Sequence, residues 1–262
     1  MPALPSDFEQ MLIVAKFEAG FENWKSVLGN ISLVAVASVI VMMMLVLAPI
    51  RPETAETFAA SFLFPVFLLI PLAAIIFGAN NVTSEFESKT GYLLFSNPVR
   101  RSVLMAGKFM ASLLYVCCAV LIFYLGCSVA TFYVYGTVPA GLLLSLVPAL
   151  LYGCAVLALM FLFGFIFRSG VVAGALLFAV LFLCMPLLQI FLIDMGHSPW
   201  FILTYAAGAV NAFGGASMPG PATLFGRAMG NVDLIISTLV IAVYFVFLFG
   251  LNILVMRRRD IM

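Results

Sequence analysis

The stretch SEFESKTGYLLFSNPVRRSVLMAGK, residues 84–108, gathers Glu85, Glu87, Lys89, Arg100, Arg101 and Lys108 between two long apolar runs. Neither run carries an Asp, Glu, Lys, Arg or His: the first covers 58–79, and the second opens a charge-free stretch that lasts until Arg168. An island of charge between runs of that length has one economical reading. The runs lie in hydrocarbon, and the island lies in water beside them.

Composition extends this reading to the whole chain. With 65% apolar residues, 9% charged residues and a mean hydropathy of +1.23, the sequence is far from a soluble globule, in which about 25% of residues are charged. A spanning helix needs about 20 predominantly apolar residues, because the hydrocarbon layer is about 30 Å thick and each residue rises 1.5 Å. Six segments meet that length: 27–50, 58–79, 109–136, 140–167, 171–193 and 234–256. A β-barrel would alternate over short segments of about ten residues, whereas these runs are apolar on every face. The expectation is an all-α, polytopic membrane protein of six transmembrane helices filling residues 1–262 as a single domain. The 26 residues before the first run include Glu9, Glu18 and Glu22 and no small-residue cleavage site follows it, so a removable signal peptide is not expected.

Lys and Arg are retained on the cytoplasmic side of a membrane. Six spans put Lys16, Lys25, Lys89, Arg100, Arg101, Lys108, Arg168, Arg257, Arg258 and Arg259 on one side and only Arg51 and Arg227 on the other. Both termini are therefore expected in the cytoplasm of a plasma-membrane protein. The net charge of +1 hides this asymmetry and gives no reason to expect a nucleic-acid partner. Arg257, Arg258 and Arg259 read as an anchor of the last helix against anionic headgroups.

Before the first run, Ile13, Phe17, Phe21, Trp24 and Leu28 recur at helical spacing, the pattern of an amphipathic helix lying along the membrane surface over residues 1–26. Pro65 and Pro71, Pro148, and Pro186 interrupt the second, fourth and fifth runs. Each removes a backbone donor and tends to kink its helix, so Pro65, Pro71 and Pro186 are candidate hinges or cavity-lining positions. The connection 194–233 is long and contains WFILTYAAGAVNAF, residues 200–213, apolar but too short to span. It reads as a re-entrant or interfacial helix closing the outer face.

Within the charged stretch, Ser84-Glu85-Phe86-Glu87 fits a capping box, which predicts a short helix starting at Ser84. Glu85 and Lys89 are four apart in the favourable order. Gly91 ends or loosens that helix, and Asn97-Pro98 offers a fresh start that runs through Arg100, Arg101 and Lys108 into the third span. A short amphipathic helix bounded by a turn and flanked by cations suits contact with a cytoplasmic protein.

These residues resemble a known family, the permease subunits of type 2 ABC transporters. The hallmark of their loop after the second span is acidic residues, a glycine, a proline followed shortly by arginine, and a Gly-Lys pair. Here those are Glu85 and Glu87, Gly91, Pro98-Val99-Arg100-Arg101 and Gly107-Lys108. The surface helix, the six spans and the long outer segment extend the resemblance over nearly the whole chain. It implies that Glu85, Phe86, Glu87, Lys89, Gly91, Pro98, Arg100, Arg101 and Lys108 form a coupling helix docking into a separate ABC ATP-binding subunit. It further implies a second permease subunit, a homodimer by preference, and alternating access driven by nucleotide, with ATP and magnesium on the partner ATPase.

No GxxxxGK[ST] occurs, since Lys89-Thr90 lacks the glycines that cradle phosphate; catalysis and cofactors are not expected on this chain. An intramembrane serine protease would need a GxSG nucleophile, but Phe167 precedes Ser169-Gly170 and the lone histidine, His197, lies in a loop. Cys117, Cys118, Cys127, Cys154 and Cys184 fall inside spans without metal-ligand spacing and read as packing residues. The sequon Asn81-Val82-Thr83 faces the cytoplasm in this topology and should be unused. Gly170 and Gly174 offer a close-packing face on the fifth span. Gln189, one turn beyond Pro186, is the best polar candidate for a pathway, with Tyr115, Tyr124 and Tyr152 behind it. No span carries an acid or base at depth, which disfavours a proton-coupled carrier and favours an apolar or amphipathic substrate. The expectation is the permease subunit of an ATP-driven exporter; the alternative is a membrane anchor or assembly factor that recruits a cytoplasmic protein without transport.

Overall fold

The computed structural model describes residues 7–18, 53–87, 101–214 and 233–259, and the single positions 32, 36, 39 and 43. Among the described residues, all regular structure is helical. Five segments are long and apolar enough to cross a membrane: Ala55–Ala79, Val103–Tyr135, Ala140–Phe167, Gly170–Asp194 and Leu234–Met256. They overlap the second to sixth apolar runs. Most of the first run lies outside the described residues, but Ser32, Val36, Val39 and Met43 are each helical and exposed, at the spacing of one helix face.

Prolines divide the first and fourth of these segments in different ways. The first is α2 (Ala55–Leu63) followed by α3 (Val66–Glu87). Thr54 caps α2 by accepting a hydrogen bond from the Thr57 amide. Pro65 cannot donate to the Ser61 carbonyl, and the Phe64 amide takes that acceptor instead at 3.3 Å; the ladder tightens and breaks. In the fourth segment α6 (Gly170–Ala179) passes through a π-turn, Val180–Cys184, into α7 (Met185–Asp194). The Pro186 ring would collide with the carbonyl four residues back, and the wider turn, in which the Met185 amide reaches Val180, makes room for it. Helical structure continues through Pro71 and Pro148, so only two of the four prolines divide their helix or change its type.

The longest helices are α4 (Arg101–Tyr135), α5 (Ala140–Phe167) and α9 (Leu234–Arg259). α5 is apolar on all sides and is the centre of the bundle, packed against α3, α4, α6 and α9, as such helices must be. Small residues permit the close crossings: a Cβ on Gly78 would meet Leu157 at 3.0 Å, one on Gly153 would meet Val116 at 3.1 Å, and one on Gly174 would meet Ile75 at 3.1 Å. Gly174 thus serves packing within the chain. Buried hydrogen bonds add direction: Ser112 Oγ donates to the Phe77 carbonyl (3.1 Å), and the Tyr124 hydroxyl to the Ser145 carbonyl (3.0 Å). Phe62 and Phe123 meet with ring centroids 5.3 Å apart. The opposite surfaces of α6, α7 and α9 are apolar and exposed, with Val171 at 83% and Val246 at 68%, as lipid-facing side chains are.

Two local expectations are corrected. Ser84 does not cap a new helix: it sits within the C-terminal turns of α3, which runs unbroken from Val66 to Glu87. An N-cap needs a non-helical backbone at the cap residue, and the apolar run upstream keeps the chain helical through it. The outer segment is also shorter in its helices than 200–213 suggested. It folds as α8 (Leu203–Ala206), a 3-10 turn Ala207–Val210 and a second one, Ala212–Gly214. Gly208 and Gly214 hold an α-helix poorly, while burial between α2, α5 and α9 stabilises the compact turns.

Candidate functional site

The charged connection joins α3 to α4, and its two roots are structured. Glu85, Phe86 and Glu87 form the last turn of α3, and Arg101 opens α4. Lys89, Gly91, Pro98 and Arg100 lie outside the described residues. At 1.5 Å per residue, the 35 residues of α4 extend about 50 Å, well beyond a hydrocarbon layer of about 30 Å. A helix of that length extends past the layer or crosses it at a tilt, and the connection is attached at its N-terminal end.

There α4 is braced by α1 (Asp7–Glu18). The crossing point is Gly107, where a Cβ would lie 2.7 Å from Val14 Cγ1 and 2.9 Å from the Met11 carbonyl oxygen. No side chain fits in that space. The next residue, Lys108, is 4% exposed, so the Gly-Lys pair marks a buried junction rather than a free cation. Phe8, Leu12, Ile13 and Phe17 of α1 point away from the bundle. Ile13 and Phe17 belong to the apolar face expected from the sequence; Phe21, Trp24 and Leu28 lie outside the described residues.

At the opposite end, Gln189 of α7 is fully buried and its Nε2 donates to Thr204 Oγ1 of α8. The hydrogen bond ties the segment Gly170–Asp194 to α8. Asn211, 3% exposed, has neither side-chain polar atom paired, and Gln189 Oε1 is likewise unpaired. Burial, and then the Asp233 carboxylate, push the Tyr205 phenol up, so it remains a neutral hydroxyl. The sequence-derived candidates do not converge on one cavity. Pro65, Pro186 and Gln189 mark flexible or polar points of two different spans, and Tyr115 stacks on Phe77 (5.1 Å) as part of the core.

A double-mutant cycle on Gln189→Leu and Thr204→Val is expected to give a coupling energy of about 0.6 kcal/mol, the average for hydrogen bonds within membranes. Detergent-solubilised unfolding would measure it, and additive effects would show that the pair contributes no bond. Sequence reasoning missed Thr204, because the partner lies in a separate element with no periodic relation to Gln189. It also missed why Gly107 precedes Lys108, since Val14 is distant in sequence.

Multiple apolar helices crossing around a buried central helix, with charge concentrated at the connection between two of them, define a multi-pass membrane protein. The family model of the ABC-2 family transporter proteins matches residues 12–249, from within α1 to within α9. The chain belongs to this family, and is a transport permease of the ABC transporter type. Permeases of this kind work in general with an ATP-binding subunit. No curated protein matches the chain significantly.

Proposed function

We propose that the chain is the membrane subunit of an ATP-driven exporter in the plasma membrane, with six spans, both termini cytoplasmic, and activity as a homodimer. The observation that carries this reading is the family match over residues 12–249. The cation asymmetry supports the orientation, and the exposed helical positions 32, 36, 39 and 43 support a span in the first apolar run.

In this reading a separate ATP-binding subunit, holding ATP and magnesium, docks on residues 84–101. Glu85, Phe86, Glu87, Lys89, Gly91, Pro98, Arg100 and Arg101 form the docking surface, and Lys108 seats the root of α4. Closure of the ATPase pair pulls on α3 and α4 together. Pro65, Pro71, Pro186 and Gln189 are where the spans yield. An interior that carries no ionisable residue deep in the apolar runs suits an apolar or amphipathic substrate, since charged groups at depth are costly and reserved for ions and protons.

Affinity purification of the tagged chain from mild detergent tests the reading. The expected result is a stoichiometric P-loop ATPase with measurable hydrolysis. An intact, folded preparation without one would reject the exporter and favour a membrane anchor.

A further inference from the structure

Three helices end together around an apolar pocket of about 250 Å³. The first turns of α4 contribute Met105, Ala106 and Phe109, the last turns of α5 contribute Phe161 and Phe165, and α9 contributes a stripe from Phe249 to Met256. Phe109 is the hub of the wall, 5.2 Å from both the Phe161 and the Phe249 ring centroids. On helix geometry Met105 and Phe109 face away from Gly107, so the pocket and α1 occupy opposite sides of α4.

One polar residue belongs to the lining. Asn252 Nδ2 donates to the Ala158 carbonyl (2.8 Å) and to the Leu248 carbonyl (3.0 Å). Both amide hydrogens are used to bind α9 to α5, and the side chain is 7% exposed. Its Oδ1 is buried without a partner, a single acceptor that falls short of the two to four polar partners a buried water requires. Hydrocarbon suits it.

The pocket's depth is readable from α9. The stripe ending at Met256 spans about 10 Å at 1.5 Å per residue and is followed at once by Arg257, Arg258 and Arg259. Helix register places Arg257 one turn beyond Ile253 and Arg259 one turn beyond Met256. Arg101 stands one turn before Met105, and Arg168, exposed, follows Phe165 by three residues. By helix register and sequence, each of the three walls is followed within about one turn by a basic residue. By sequence, Asp260 is the one acid at these three ends.

We propose that this pocket is a lipid site, seating one acyl chain of an anionic glycerophospholipid with its phosphate at the level of Arg101, Arg168, Arg257 and Arg259. The apolar walls select a chain, and the cations select the negative headgroup. A chain that enters here wedges α4, α5 and α9 at the end where α4 carries the charged connection. The site differs from Gln189 and Thr204 at the other end of the bundle, and its occupancy does not depend on the direction of transport.

The test uses the full chain in phosphatidylcholine nanodiscs doped with phosphatidylglycerol or phosphatidylcholine bearing a diazirine in one acyl chain. After irradiation, labelled peptides are mapped by mass spectrometry. The expected result is labelling concentrated on residues 105–109 and 249–256, at least tenfold stronger with the anionic probe and removed by excess unlabelled phosphatidylglycerol. Ala106→Trp, which fills the pocket, should abolish it, and replacing Arg257 and Arg259 with glutamine should weaken it by about fivefold per cation. Equal labelling by both probes, or labelling spread evenly over the exposed faces of α6 and α9, would overturn the proposal on the unmodified chain alone. Labelling that survives Ala106→Trp would do the same.

Discussion

Under the proposed docking, replacing both Glu85 and Glu87 with lysine is expected to abolish coupling to an ATP-binding subunit, lowering its co-purification and substrate-stimulated hydrolysis at least tenfold. Like charges brought together across an interface cost several kcal/mol, which is ample for that loss. The structure sharpens the test. The two carboxylates occupy the last turn of α3, where the partial negative charge of a helix terminus disfavours acids by about 0.3–1 kcal/mol each and favours cations. The double reversal should therefore leave the isolated permease as stable as before or more so. Positions two apart on a helix fall on opposite faces, and so the single reversals should differ, one producing most of the effect. Equal hydrolysis and retention of the partner in a stable double variant would remove these residues from the docking surface.

The second large effect concerns the brace under α4. Gly107→Leu should detach α1, because even its Cβ would stand 2.7 Å from Val14 Cγ1 and 2.9 Å from a backbone oxygen of Met11. Overpacking of a tight contact costs about 1–3 kcal/mol, and here the backbone cannot retreat without parting the helices. Limited proteolysis within residues 7–18 and hydrogen exchange of α1 would report the release, with a fall in Tm. Val14→Ala should rescue little, since the Met11 carbonyl remains in place. Full rescue would mean that the crossing is held by side chains and can relax. Gly107→Ala should give a smaller form of the same defect.

The apolar runs were legible because length and hydropathy are properties of consecutive residues. Helices over 55–79, 103–135, 140–167, 170–194 and 234–256 follow from that alone. What failed was punctuation. Ser84-Glu85-Phe86-Glu87 has the composition of a helix start, yet the helix arriving from Val66 continues through it; a capping signature is informative only where the preceding chain is not already helical. Pro65 and Pro186 disrupt their helices while Pro71 and Pro148 do not interrupt them, a difference that propensity cannot supply.

The candidate site was legible in proportion to how local it is. The acids and cations of residues 84–108 stand out in the sequence, and the Gly-Lys pair among them lies at a real junction. That Gly107 is matched to Val14, Gln189 to Thr204 and Asn252 to Ala158 is knowledge of the assembled bundle. Each pairing joins elements far apart in the chain, where spacing has no meaning. In the first apolar run and the connection 88–100, the family match and the cation distribution carry the reading.

The unbroken length of α4 and the widened turn after α6 have opposite mechanical properties. α4 is a strut: an impulse given to its Arg101 end arrives at Tyr135 on the far face with its direction preserved, because no proline or change of helix type lies between them. The segment through Val180–Cys184 changes helix type at its middle, where the hydrogen-bond ladder widens. The two are joined through the centre of the bundle, where α3 and α5 each pack against both α4 and α6.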